Sequence, residues 1–380
     1  MSKRGLSLIS SLISPDLGRK KQALSRDYDK ENEKESDSDA IVLDQTKASK
    51  EIMKRPSTTA ANKFVNRVVK LLGDNKDDKN EDDPINLHVL EVLSQMDFYK
   101  NMRMREALKL TDICENLCQM LQSLPSSSLT VGKKEDVSFK IVTLIVDLTH
   151  MDTKGSFRER FASFDCLSLL IQQMKSYPDN EKLQETACRA IDNICAYMRY
   201  NYSDTSSKTK KLFHDGIHNS DNLQTFYDTM KKYTGNRCIH MRIIACLYVY
   251  LILHTNNENE SFIKDLLITM GFTELIYNAL ETNANYENDK DDDDDSSSTS
   301  LMKMCLLILK VMAQYEKQTR IFLREKDGIF TLATLINTFH PSNPTNTNSE
   351  KEEAIHILNL SMELLQTVYD NTETNSITAE

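Results

Sequence analysis

Tryptophan is absent from the 380-residue chain, and turn formers are scarce, with nine glycines and seven prolines. So few chain-reversing residues disfavour a sheet-rich fold and favour helices. No long hydrophobic run occurs either. The apolar patch from Leu6 to Ile13 is too short and too serine-rich for a signal peptide or a membrane span, so neither is expected. Catalytic signatures are missing as well. Gly132-Lys133 lacks the partner glycine and the following Ser or Thr of a phosphate-cradling loop, and there is no GxGxxG, HExxH or GxSxG. No CxxC pair is present, and Cys114 and Cys118, one helical turn apart, have no second pair at zinc-ligand spacing. An enzyme is not expected, and no cofactor is implied.

What is present is polar and acidic. Charged residues make up 27% of the chain and apolar ones 39%, and the net charge is −10. That balance argues against direct nucleic-acid binding. Most of the eight cysteines fall inside apolar helical runs, where a thiol behaves as a small hydrophobe. Buried, reduced thiols and a reducing intracellular setting are expected. His214 and His218 stand four apart, a spacing that can bind metal on a helix, but Gly216 between them and the lack of an evident third ligand favour a loop. Asp291–Asp295 lacks the alternation and glycine of a calcium loop and reads as a solvated insertion.

Residues 1–58 read as a disordered tail, polar and without a sustained apolar period. Lys3-Arg4 and Arg19-Lys20-Lys21, fourteen residues apart, resemble a loose bipartite nuclear import signal; a solubilising basic tail would look the same. Ile41, Val42, Leu43 and Asp44, behind an acidic serine stretch, resemble a SUMO-interacting motif, in which an apolar strand adds to a sheet edge and the acids meet a basic groove. Residues 59–83 read as an isolated helix and an acidic linker, 84–373 as the folded region, and 374–380 as a disordered end.

The folded region is repetitive. Tyr315 to Ile336 contains an apolar pair (Ile321, Phe322), a charged turn, Gly328, and an apolar run through Leu332 and Leu335. Gly328 reads as a turn residue that a side chain would strain. Asp112, Asp165, Asp221 and Gly271 read as equivalents, at intervals longer than the roughly 40–47 residues of helical armadillo or HEAT units. Polar insertions at Lys175–Lys182, Tyr202–Lys210, Thr282–Ser300 and Pro341–Lys351 account for the excess. Gly328-Ile329-Phe330-Thr331-Leu332 resembles the second helix of an armadillo repeat, with Phe330 where proline is usual. Glu185 to Ile194 resembles its buried third helix. The resemblance implies an all-α, armadillo/HEAT-like right-handed α-solenoid whose stacked units share one core and one concave face.

Importin-α, a member of that superfamily, reads its peptides with repeated tryptophan–asparagine pairs. Here tryptophan is missing, and Asn193 fits the asparagine slot once, with Tyr250 and Lys310 elsewhere. A second resemblance begins at Leu110-Thr111-Asp112-Ile113 and runs through Asn116–Leu121, Phe139–His150, Ser156-Phe157-Arg158 and Cys166–Met174. In this order it is similar to the opening of the Wapl domain of cohesin-release factors, although Asp165 replaces a glycine and no FGF tripeptide occurs. It implies a nuclear protein-binding regulator that engages cohesin and its HEAT-repeat accessory subunit and promotes release from chromatin. The competing expectation is a cytoplasmic armadillo adaptor for signalling or cytoskeletal partners.

Overall fold

The computed structural model describes residues 102–150, 152, 155–253, 269–284, 295–340 and 351–369, with Val65, Asn66, Val69, Leu90, Glu91, Leu93, Ser94 and Phe98. The chain divides into Met1–Ala48 and Ser49–Glu380, and every described residue belongs to the second unit. Among the described residues the regular structure is all helical, in fourteen α-helices. They are α1 (Met102–Leu108), α2 (Ile113–Ser123), α3 (Val131–His150), α4 (Ser156–Ser163), α5 (Cys166–Ser176), α6 (Glu181–Asn201) and α7 (Ser207–His218). Then follow α8 (Ser220–Lys232), α9 (Arg237–Leu253), α10 (Phe272–Ala284), α11 (Asp295–Tyr315), α12 (Lys317–Glu325), α13 (Gly328–Thr338) and α14 (Lys351–Tyr369).

Long and short helices form two rows. The long helices α3, α6, α9, α11 and α14 pack each against the next, and α2, α5, α8, α10 and α13 do the same. Each long helix also rests on a short one, as α6 does on α5 and α14 on α13. The reason lies in the apolar spacing. In α6, Leu183, Ala187, Ala190, Ile191, Ile194 and Met198 recur at three or four residues and are all buried, along one stripe of the helix. Phe98, Phe157, Phe161, Phe226 and Phe272 are the largest fully buried side chains among the described residues.

Polar devices fix where each helix begins and ends. Asn180 caps α6 by accepting from the Leu183 N–H at 2.9 Å, and Ser206 caps α7 by accepting from Thr209 N–H at 3.2 Å. The last carbonyls of α5 and α8 are taken by side chains from the helix that follows. Gln184 donates to Met174 O, and His240 donates to Met230 O. Arginines on the short helices α4 and α12 serve the long helices before them. Arg158 donates to Thr149 O at 2.8 Å and His150 O at 3.1 Å, and Arg320 donates to Ala313 O at 2.7 Å. The same solution therefore appears in units far apart along the chain.

Several sequence expectations shift. Asp165 and Gly271 do turn through the left-handed region, at φ 55° and 74°. At the last repeat the left-handed residue is Asp327, at φ 54°, one position before the expected Gly328. Aspartate tolerates this region better than most residues with a Cβ. Gly328 instead opens α13, where an added Cβ would sit 2.5 Å from the Leu323 carbonyl oxygen, so it is needed for close approach. Asp221 is not a turn residue but lies in the first turn of α8, whose cap is Asn219. The insertion Thr282–Ser300 is helical at both ends, with Asn283 buried in α10 and residues 295–300 in α11. Half of Lys175–Lys182 is likewise the end of α5 and the start of α6. Within residues 59–83, expected as an isolated helix and an acidic linker, Val65 and Val69 are buried in the core, and Asn116 donates to Val69 O at 3.3 Å.

Candidate partner-binding face

The row of long helices carries a strip of charged side chains outside the apolar stripe. On α3, Lys140 pairs with Asp136 one turn earlier at 2.9 Å and with Glu91. Hydrogen bonds to these two carboxylates push the Lys140 pKa up. Arg242 of α9 pairs with Asp192 of α6, and farther along Lys303 and Lys310 of α11 pair with Glu353 and Glu363 of α14. The last three pairs cross from one long helix to the next, so the strip also holds the row in register.

One part of the strip is rich in arginine. Arg105 comes from α1, Arg158 from α4, Arg189 and Arg199 from α6, and Arg242 from α9. A chain of contacts links Arg158 and Arg242 to the end of α3. Arg158 holds Thr149 O and His150 O, Asn193 donates to Thr149 Oγ1 at 3.0 Å, and Arg242 meets Asp192, the neighbour of Asn193. The His150 pKa is lowered, first by burial and then by Arg189, Arg158, Arg242 and Arg105. Asp192 is pushed the opposite way to most paired carboxylates, because burial raises its pKa more than Arg242, Arg158 and Arg199 lower it. Arg199 lies over the rings of Tyr200 and Tyr248, at 5.3 and 5.4 Å from their centroids.

The three positions compared with the importin groove are all engaged within the fold. Asn193 is spent on Thr149, Tyr250 is buried, and Lys310 pairs with Glu363. A groove of that chemistry is therefore not formed at these positions.

His214 and His218 are on helix α7, not in a loop as expected. Gly216 was read as a loop residue, but it sits where an added Cβ would meet Leu167 Cδ2 at 2.4 Å, so it lets α7 lie close to α5. His214 Nε2 lies 2.9 Å from His218 Nδ1, and the Tyr250 hydroxyl reaches the same nitrogen. Burial, then His214, lowers the His218 pKa, and burial raises that of Tyr250. The trio ties α7 to α9. Among the described residues no group of three His, Cys, Asp or Glu side chains is placed to hold a metal ion.

Seven of the eight thiols are buried and all eight are free; Cys238 is the exposed one. Burial pushes the Cys114 thiol up to about 12 and raises Cys166, Cys188, Cys246 and Cys305 as well, which suppresses the nucleophilic thiolate. No described helix is long and apolar enough to cross a membrane. The import-signal residues Lys3, Arg4, Arg19, Lys20 and Lys21 and the SUMO-motif residues Ile41, Val42, Leu43 and Asp44 lie outside the described residues.

No protein-family model matches the chain, and no curated protein matches it significantly.

Proposed function

We propose that the chain is a non-enzymatic protein-binding scaffold, built as an armadillo-type right-handed α-solenoid, and that it acts as a Wapl-like nuclear regulator of cohesin. The observation that carries the scaffold reading is the reuse of two polar designs, Gln184 with His240 in successive units and Arg158 with Arg320 in units far apart, along two rows of stacked helices. Units of this kind bury their apolar faces only against neighbours, and stacking leaves a long side-chain surface on the inner row. The charged strip of α3, α6, α9, α11 and α14 is that surface.

The Wapl-like part rests on the sequence resemblance, of which Ser156-Phe157-Arg158 is the most local element. Phe157 is buried in the core and Arg158 closes the end of α3, so the step has a structural task in this chain. In this role the protein binds cohesin and its HEAT-repeat accessory subunit and biases a partner ATPase through differential binding, hydrolysing nothing itself. Deleting the gene should slow fluorescence recovery of a tagged cohesin subunit on chromatin, and affinity purification of the tagged protein should recover cohesin subunits. Normal cohesin turnover, with no cohesin subunit recovered, would favour the cytoplasmic adaptor.

A further inference from the structure

We propose that the arginine cluster of α4, α6 and α9 receives an acidic peptide segment of a partner protein, its Asp or Glu carboxylates meeting Arg189 and Arg199. The inference rests on the scaffold reading and gives the chemistry of the partner at one place on it.

Three observations lead there. The first is charge. Four guanidiniums, of Arg105, Arg158, Arg189 and Arg242, act on His150 at the end of α3, and that of Arg199 acts on Asp192 of α6, whereas the carboxylates on the same stretch of α3 and α6 are Asp147, Glu185 and Asp192. Asp192 is committed to Arg242, and Glu185 accepts from Asn236 Nδ2 at 3.3 Å. A surplus of guanidinium in a chain whose net charge is −10 is a local feature rather than part of a general basic field.

The second is unfilled hydrogen-bonding capacity. The Nε atoms of Arg189 and Arg199 are buried and make no hydrogen bond. An Nε closed from solvent is beyond the reach of a carboxylate, so the incoming group meets the terminal nitrogens of each guanidinium. The guanidinium fork matches a carboxylate with two parallel bonds, so these side chains suit Asp and Glu better than a neutral peptide.

The third is the aromatic border. Tyr200 is 60% exposed and Arg199 lies between it and Tyr248. Stacking holds the guanidinium plane in place, and tyrosine beside arginine is a combination enriched where binding energy concentrates. A nucleic acid needs a basic track along its whole backbone. Beyond the cluster, however, the strip alternates in sign through Lys303–Glu353 and Lys310–Glu363. A short acidic peptide fits the confined patch.

The test uses the full chain and a fluorescein-labelled oligoglutamate peptide, read by fluorescence polarisation at low salt. Binding should be saturable and weakened by added salt. The R189Q/R199Q double variant should bind at least about tenfold more weakly, the loss expected for two charge-assisted contacts. The K208Q/K211Q variant, at two exposed lysines of α7 outside the strip, should bind as the parent does. If R189Q/R199Q melts early, R189K/R199K is read in its place, and affinity should still fall because an ammonium cannot make the forked contact. No binding of the peptide, parental affinity in the arginine variants, or displacement of the peptide by equimolar duplex DNA overturns the proposal. Cohesin turnover is a separate measurement: normal turnover in the deletion strain with intact peptide binding removes the Wapl-like role and leaves the acidic-peptide site standing.

Discussion

Thr229 donates its hydroxyl to the side-chain oxygen of Gln184, 45 residues earlier, across 3.1 Å. The amide of Gln184 is already in use, with its NH2 group donating to Met174 O at 2.9 Å and Tyr177 O at 3.0 Å. One buried side chain therefore ends α5, steadies α6 and receives α8. Nearby, Tyr233 donates to Pro178 O at 2.8 Å, and Arg242 pairs with Asp192. Neighbouring units are joined by directional contacts on top of apolar packing.

Replacing Gln184 with Leu should remove three hydrogen bonds and leave the Met174 carbonyl and the Thr229 hydroxyl buried without this partner, while Tyr177 O keeps the Asn180 N–H at 3.2 Å. Each orphaned group costs about 1–3 kcal/mol, softened by relaxation and water. Urea denaturation should show a midpoint lowered with an unchanged slope. An unchanged midpoint would mean that the contacts contribute nothing net.

Asp327 and Gly328 should respond in opposite directions. Asp327→Gly relieves a left-handed residue that makes no side-chain cap and should be neutral, or stabilising by up to about 1 kcal/mol. Gly328→Ala drives a methyl towards Leu323 O and should destabilise by roughly 1–3 kcal/mol. Thermal melts of the two single variants decide it; matched shifts of one sign contradict the assignment.

Acid should weaken the fold partly through His240 and His150. Both have pKa values lowered from 6.5, His240 by burial against the bonds to the Met230 and Tyr233 carbonyls, and His150 by burial and its four arginines. A depressed imidazole binds fewer protons folded than unfolded. Its contribution is therefore fully present above 6.5 and is lost as the pH falls through that value towards the folded pKa. His240→Gln copies the residue that does the same task at position 184 and does not titrate. Melting temperatures from pH 7.5 to 5 should fall less steeply in His240→Gln than in the parent, and equal slopes would refute the assignment to His240.

Residues 285–294 are mostly Asp, Asn and Lys, with too little apolar area to offset ordering entropy. A short Gly/Ser linker in their place should leave the melting temperature nearly unchanged. Extending the replacement over 282–300 should lower it, because Asn283 is buried and donates to Ala279 O at 2.6 Å and the first turns of α11 would be lost.

The helices were legible because their apolar residues recur with helical spacing over long stretches, as in Ile191, Ile194 and Met198. Glycine was harder to read. At Gly216 and Gly328 the missing Cβ serves close packing against Leu167 and Leu323, which depends on a neighbour the local sequence does not name. Asp327 took the left-handed position because a short polar side chain can stand in for glycine there. The arginine cluster was invisible for a related reason. Its members come from α1, α4, α6 and α9, and nothing in the local pattern around Arg158 or Arg242 indicates that both charges act on Asp192, which pairs with Arg242.

The joints between units also have a bearing on synthesis. Gln184 waits for Thr229, Pro178 for Tyr233 and Asp192 for Arg242, so each unit offers acceptors that only later residues fill. During translation, which delivers residues at about 5–20 per second, the newest unit at the ribosome exit is always incomplete until its successor emerges. A pause or premature stop between α6 and α9 would leave that edge open, apolar and hydrogen-bond-hungry. Chaperone demand should therefore peak when the chain ends inside a unit and fall when a unit closes.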